Sequence, residues 1–189
     1  MALTRIQPPA IADVREPNFR NALINGDMQI AQRGTSFASI SSGTSNYPVD
    51  RFRNNLSTAG TWTISQDTTV PTGQGFAKSF KMDCTTANGS LSAGSYILLQ
   101  QIIEGQNLQY LKKGTASAES LTVSFWVRSS KTGTYICELY DSDNTRHIAK
   151  SYTISVADTW EKKTITYAGD TSGAFTNDNG ASLELDFWL

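Results

Sequence analysis

Strict alternation of apolar and polar residues is the feature that most constrains how this chain can fold. Between residues 121 and 128 the odd positions are Leu, Val, Phe and Val, and the even positions are Thr, Ser, Trp and Arg. Residues 182–189 repeat the pattern, with Leu or Phe at the odd positions and Ser, Glu, Asp and Trp at the even ones. Successive side chains of a β-strand point to opposite sides of the sheet. The alternation therefore predicts strands with one buried and one outward face.

Strand-like segments follow one another along most of the chain. They are predicted at residues 61–65, 77–83, 96–103, 121–128, 134–140, 148–156, 160–167 and 182–189. Turn-rich stretches of Gly, Asn, Asp and Ser separate them, and the Ser/Gly/Thr-rich residues 36–46 are predicted to form a loop. No helix longer than a turn or two is indicated. This succession predicts an all-β, antiparallel sandwich or barrel.

The composition supports a folded β-protein and argues against several partners. Charged residues make up 17% of the 189 residues, against about 25% in typical soluble domains, while 21 serines and 22 threonines are present. The net charge of −1 offers no electrostatic basis for binding nucleic acid or an anionic membrane. No run approaches the roughly 20 apolar residues that span a bilayer, and the N-terminus does not resemble a secretory signal. We expect neither nucleic-acid binding nor membrane insertion.

Residues 1–20 differ from the rest of the chain because they hold three of its five prolines. Proline fixes φ and favours an extended conformation in the preceding residue, so an extended arm is predicted. The arm either docks on another protein or is a floppy terminus. The residues predicted to make the docking contact are Leu3, Ile6, Pro8, Pro9, Ile11 and Val14. The predicted organisation is thus an arm, residues 1–20, and a sandwich domain, residues 21–189.

The even positions of three predicted strands place large aromatic and charged side chains on outward faces. These candidate site residues are Trp126, Arg128, Glu138, Tyr140, Glu184, Asp186 and Trp188. Such a mixture suits sugar binding, because an aromatic ring can stack on a pyranose while charged groups bind its hydroxyls. Aromatic residues and Arg are equally enriched at subunit interfaces. A glycan-binding groove, a subunit interface and a face covered by a loop remain three alternatives.

Motifs for catalysis or metal binding are weak. The single histidine, His147, follows a turn-rich segment and has no accompanying nucleophile motif. Residues 141–145 begin like a calcium loop but lack its glycine and distal glutamate. Glycosidases need two carboxyl groups about 5–10 Å apart across a cleft, which spacing along the chain does not demonstrate. The sequence predicts a protein without enzymatic activity, metal or cofactor.

Several short motifs occur together in a characteristic order. They are residues 21–27 (NALINGD), 32–36 (QRGTS), 47–52 (YPVDRF), 100–105 (QQIIEG), 123–129 (VSFWVRS) and 159–163 (TWEKK). In this order they resemble tail fibre and minor tail proteins of tailed bacteriophages, whose domain is similar to the jelly rolls of carbohydrate-binding modules. We expect most of these motif residues to be structural. Asn25-Gly26 suits a tight turn, and Arg33 is expected to donate hydrogen bonds to backbone carbonyls within the fold.

The resemblance implies a virion structural protein with a galactose-binding-like jelly-roll sandwich. It implies a tail fibre component that docks on tail or capsid proteins through its arm and recognises host surface polysaccharide during adsorption. Homotrimer is the first choice of oligomeric state, by analogy with tail fibres. The alternative is an architectural tail adaptor or capsid-decoration protein whose aromatic face is a subunit interface. Domains of this kind usually continue beyond residue 189, so either the sandwich closes without its final strands or the chain is a fragment of a longer fibre.

Overall fold

A computed structural model describes residues 21–43 and 46–189 of the chain. The predicted docking arm, residues 1–20, lies outside the described residues. The described residues form nine strands: β1 (Ser36–Gly43), β2 (Phe52–Asp67), β3 (Ser79–Thr86), β4 (Tyr96–Glu104), β5 (Leu121–Val127), β6 (Gly133–Asp141), β7 (Arg146–Ile154), β8 (Glu161–Tyr167) and β9 (Ala181–Trp188). Two single 3-10 turns, Gly105–Asn107 and Gln109–Leu111, follow β4. The prediction of an all-β fold is confirmed.

The strands form two antiparallel sheets of unequal size. The larger sheet has seven strands in the order β1-β2-β4-β9-β6-β7, with β3 also paired to β2. The smaller sheet contains β5 and β8. The 16-residue strand β2 has two partners along the same edge, because its first part pairs with β4 and its second part pairs with β3.

The main core lies between the two sheets. From the smaller sheet Val123 and Ile165 are buried, and from the larger sheet Leu139 and Leu185 are buried in the same cluster. Phe125 of β5 packs edge-on against two aromatic rings of the larger sheet. A second cluster, centred on residues of β1, β2 and β4, lies where β2 continues beyond its pairing with β4. The alternation in β5, β6 and β9 therefore places the apolar residues inside the sandwich, as predicted.

Two local predictions are wrong. Strand β1 (Ser36–Gly43) forms where the Ser/Gly/Thr-rich sequence predicted a loop, because its partner β2 supplies the pairing. Residues 52–67 form one continuous strand, although the sequence predicted only a short strand at residues 61–65. In both places a long-range partner decided a local structure that the residues themselves did not determine.

An ion-pair network fixes the long segment between β8 and β9. The ammonium group of Lys113 lies 2.6 Å from Asp141 and 3.2 Å from Asp170, and it also donates to the carbonyl oxygens of Ser172 and Gly173. Only 10% of the Lys113 side chain is exposed. The network thereby joins three separate parts of the chain at one end of the sandwich.

Within the described residues, no helix is long and apolar enough to cross a membrane.

Candidate functional site

Five of the seven predicted site residues share one face of the larger sheet. This face, here called the outward face, points away from β5 and β8, because the alternate residues of the same strands form the core between the sheets. Its members from the prediction are Glu138 and Tyr140 on β6 and Glu184, Asp186 and Trp188 on β9. Glu138 lies directly across from Asp186, and Tyr140 directly across from Glu184. The sequence thus identified the centre of this face.

The other two predicted residues, Trp126 and Arg128, are not part of the outward face. Trp126 lies opposite Lys162 in the smaller sheet, and its neighbour Phe125 points into the core. Trp126 therefore lies on the far side of the sandwich. Arg128 binds Asp158, with its Nη2 atom 3.0 Å from the carboxylate. The predicted seven-residue face is split because alternation shows which side of its own sheet a residue takes, but not which sheet its strand joins.

Glu138 orients two rings on the outward face. Its side chain is buried, and its Oε2 atom accepts a hydrogen bond of 2.6 Å from the indole N–H of Trp188. Its other oxygen lies 2.6 Å from Nδ1 of His147. The His147 ring in turn stacks on Tyr140, with ring centroids 4.4 Å apart. One buried carboxyl group therefore holds an aromatic surface of which Trp188 remains 38% exposed.

A row of polar side chains crosses the same face beside these rings. Nε of Arg53 donates to Oε1 of Gln100 at 2.7 Å, and the amide nitrogen of Gln100 donates to Glu184. Gln100 and Asp186 are 2% and 4% exposed. Oδ1 of Asp186 has no hydrogen-bond partner among the described residues. An unpaired polar atom in so dry a position is costly, which marks Asp186 as the unusual member of the row.

The environment of the row changes the acidity of its two β9 carboxyl groups. Burial raises the pKa of Asp186 to about 7, and repulsion from Glu184 and Glu138 acts in the same direction. The pKa of Glu184 is also raised by burial, with the nearby Arg53 acting against the shift. Removal from water disfavours the charged form of a carboxyl group, and so do neighbouring negative charges. Below about pH 7 the buried Asp186 is therefore largely protonated, unlike an ordinary carboxyl group.

Sequence reasoning missed three groups on this face. Gln100 occurs in the most apolar run of the chain. The available signal was the amide pair Gln100-Gln101 between two Leu and two Ile residues. Arg53 lies in a strand segment that was not predicted. His147 lies just outside the strand predicted at residues 148–156, whereas it belongs to β7, directly opposite Tyr140.

The motif residues near the N-terminal end of the described chain are mostly structural, as expected. Asn25 adopts a positive φ of 59° and donates hydrogen bonds to the carbonyl oxygens of Ile30 and Asp50. The expectation for Arg33 is wrong. Its side chain is exposed, no described carbonyl accepts a hydrogen bond from it, and its guanidinium carbon lies 4.7 Å from the centre of the Tyr47 ring. Arg33 lies in the exposed segment before β1, where its guanidinium contacts the Tyr47 ring instead of a backbone carbonyl.

The accessible part of the outward face is aromatic and polar. Across residues 21–43 and 46–189, no group of three or more His, Cys, Asp or Glu side chains is arranged to hold a metal ion. The face presents an exposed indole, the Tyr–His stack and the half-buried carboxyl group of Glu184. This set can stack against a flat apolar surface and form hydrogen bonds to hydroxyl groups.

No protein-family model matches the chain, and neither does any curated protein. Among solved structures, the chain is similar to the enzymatically active domain of tailspike protein 4 from bacteriophage CBA120, with a TM-score of 0.47 and 16% sequence identity. The match covers 80% of this chain and 19% of that chain. The chain therefore spans less than a fifth of the structure that it matches. Because that domain is described as enzymatically active, the prediction that this chain is not an enzyme is contradicted and is withdrawn.

Proposed function

We propose that the outward face binds saccharide and that the chain is a virion component of a tailed bacteriophage, of the tail fibre type. The observation that carries the first part is the anchored aromatic surface. The Trp188 indole is fixed through its N–H by the buried Glu138, so its ring face stays available for a ligand. A ring held in this way loses little side-chain freedom when a ligand stacks on it.

The polar row supplies the second requirement for binding a sugar. A pyranose presents one apolar face and a rim of hydroxyl groups, so a binding site needs a ring beside several donors and acceptors. Glu184 of this row is only half-buried and lies next to the aromatic surface, where Tyr140 and His147 are also accessible. Their carboxyl, hydroxyl and imidazole groups can form hydrogen bonds to the hydroxyl groups of a sugar.

The virion part of the proposal depends on the ordered sequence motifs. In this proposal residues 1–20 attach the domain to tail or capsid proteins, the domain assembles as a trimer, and the outward face recognises host surface polysaccharide. The test is to purify phage particles and search for the chain by mass spectrometry. Particles should contain the full chain and should lack a chain without residues 1–20. Normal incorporation of the shortened chain would contradict the docking role.

An architectural role is the second candidate, because the outward face exposes a large aromatic ring. Trp188 is 38% exposed. Its ring could instead pack against another subunit, since aromatic residues are enriched at the centres of interfaces. In that case the outward face would join copies of the chain and would be closed to polysaccharide.

Replacement of single tryptophans separates the two candidates. The probe is an array of purified bacterial capsular and O-antigen polysaccharides, and the variants are Trp188→Ala and the matched control Trp126→Ala on the opposite side of the sandwich. Saccharide binding predicts that Trp188→Ala weakens binding at least tenfold, which corresponds to about 1.4 kcal/mol, whereas Trp126→Ala leaves it unchanged. Circular dichroism verifies that each variant is folded. Tyr140→Leu serves as a second variant if Trp188→Ala does not fold.

The outcomes assign the face to one role. If no polysaccharide binds and Trp188→Ala converts an oligomer to monomers in light scattering, the architectural role is correct. If both tryptophan variants bind the array equally well, the outward face is not the saccharide site.

A further inference from the structure

We infer that one end of the outward face is an anion subsite that binds the carboxylate of an acidic sugar. This inference rests on the proposed saccharide-binding function and names the class of saccharide. The subsite is a cleft of about 190 Å³ lined by Arg33, Tyr47, Arg51, Arg53, Ile102 and Glu104. Arg53 connects it to the polar row, because the same side chain binds Gln100.

The first step concerns how the charges in the cleft are balanced. Nη2 of Arg51 lies 2.8 Å from both carboxyl oxygens of Glu104. Burial alone would raise the pKa of Glu104, but the hydrogen bond from Arg51 keeps that pKa below its ordinary value. Glu104 is therefore ionised near neutral pH and balances the charge of Arg51.

The second step is that the other two arginines lack such a partner. Among the described residues no carboxylate forms an ion pair with Arg33 or Arg53, and the hydrogen bond from Arg53 goes to a neutral amide. Glu184 of the polar row attracts Arg53 only from beyond ion-pair distance. Three arginines therefore line a cleft whose own lining includes one carboxylate. Like charges in a cleft repel one another and raise the local concentration of anions. A bound anion would remove this imbalance.

The third step concerns geometry. The guanidinium of Arg33 lies over the Tyr47 ring, 4.7 Å from its centre, and this cation–π contact limits the orientations that the group can take. Nε of Arg53 is held by Gln100, which leaves its terminal nitrogens to bind a ligand. A planar guanidinium with two N–H groups directed the same way matches a carboxylate or a phosphate.

The fourth step selects the carboxylate of a sugar. Ile102 and Gln100 occupy successive outward positions of β4, so the cleft and the aromatic surface belong to one continuous face. A chain of sugar rings lying along this face would place one residue near Trp188 and another in the cleft. A uronic acid in the second position would carry its carboxylate to Arg33 and Arg53, which gives an acidic polysaccharide as the ligand class.

The test measures binding of small probes to the full chain by nuclear magnetic resonance. The probes are sodium glucuronate, glucose and inorganic phosphate, and the observed signals are the Nε–H groups of the arginines. Glucuronate should shift the signals of Arg33 and Arg53 but not that of Arg128, which is paired with Asp158 on the opposite side of the sandwich. Glucose should shift none of them. Arg33→Gln and Arg53→Gln should each weaken glucuronate binding at least tenfold, while Arg128→Gln should not change it.

Several results would overturn the inference. It is wrong if glucuronate leaves the signals of both arginines unmoved, or if Arg128→Gln weakens binding as much as Arg33→Gln does. Phosphate that binds as tightly as glucuronate would show an anion site without sugar recognition, which also overturns it.

Failure of the inference can be distinguished from failure of the proposed function. Neutral polysaccharides that bind in a manner dependent on Trp188, without any gain from an acidic group, would leave the proposed function intact and refute the anion subsite alone. Glucuronate binding that depends on Arg33, combined with polysaccharide binding that does not depend on Trp188, would refute the aromatic saccharide site and retain the subsite.

Discussion

Replacement of Asp186 by Asn should make the protein more stable at neutral and alkaline pH, with an effect that grows as pH rises. Below about pH 4 the carboxyl group of Asp186 is protonated in both the folded and the unfolded protein, so its protonation does not make stability depend on pH. Between pH 4 and 7 the unfolded chain loses this proton while the folded protein keeps it, because the folded pKa is about 7 against an ordinary value of 3.8. The free energy of unfolding of the wild-type protein therefore falls over this range.

The size of the effect follows from the difference between the two pKa values. A difference of about 3 units corresponds to about 4 kcal/mol at about 1.4 kcal/mol per unit, and this value is an upper limit because neighbouring carboxyl groups titrate together. Asn has nearly the shape of a protonated Asp and cannot ionise. The stability of Asp186→Asn minus that of the wild type should thus increase by about 2–3 kcal/mol between pH 4.5 and pH 8.

Urea denaturation followed by tryptophan fluorescence at pH 4.5, 6 and 8 measures this difference. The matched control is Asp83→Asn, because Asp83 is 57% exposed and forms only a long ion pair of 3.7 Å with Lys81. Its effect should stay within about 0.5 kcal/mol at every pH. Glu184→Gln should lower the pKa of Asp186 by removing a neighbouring negative charge. A stability difference for Asp186→Asn that does not change with pH, or that decreases as pH rises, would refute the reasoning.

Two further variants test the packing that supports the site. Lys113→Ala should lower the free energy of unfolding by about 3–5 kcal/mol, because it leaves the buried carboxylate of Asp141 without its ion-pair partner, whereas Lys81→Ala should cost under about 1 kcal/mol. A similar cost for both lysines would show that the Lys113 network adds no stability. Gly105→Ala should destabilise by about 1–3 kcal/mol, since a Cβ there would clash with the backbone oxygen of Thr176. Gly94→Ala has no atom within 4 Å of the new Cβ, so thermal unfolding of the two variants should differ clearly.

The fold class could be predicted because strand alternation is a local property. The apolar positions of β5 and β9 needed no knowledge of their partners, and both strands bury the expected side. Strand β1 could not be predicted in the same way, since its Ser-rich sequence has no strong preference and pairs because β2 lies beside it. Local pattern was sufficient where the side chains themselves decide burial, and it failed where the partner decides.

The candidate site was predicted in part for a related reason. Alternation correctly placed Glu138, Asp186 and Trp188 on outward positions, and their strands happen to be neighbours. It also grouped Trp126 with them, although β5 belongs to the other sheet. The missing information is strand order, which depends on contacts between residues far apart in the chain. The proposed anion subsite was harder to predict, because Arg33 precedes β1 and Arg53 lies in β2. Only the folded chain brings the two residues to one cleft.

The buried carboxyl groups of the outward face are better explained by binding than by stability. A buried polar group without a partner lowers stability, and replacing it by a neutral group of the same shape is often stabilising. Asp186 is in this position, with one oxygen lacking a partner among the described residues. Proteins keep such groups where binding or catalysis requires them, at a cost in stability. If Asp186→Asn is more stable at pH 8 and also binds saccharide more weakly than the wild type, both effects have one cause, because the ionisable group that destabilises the empty face is then also the group that binding requires.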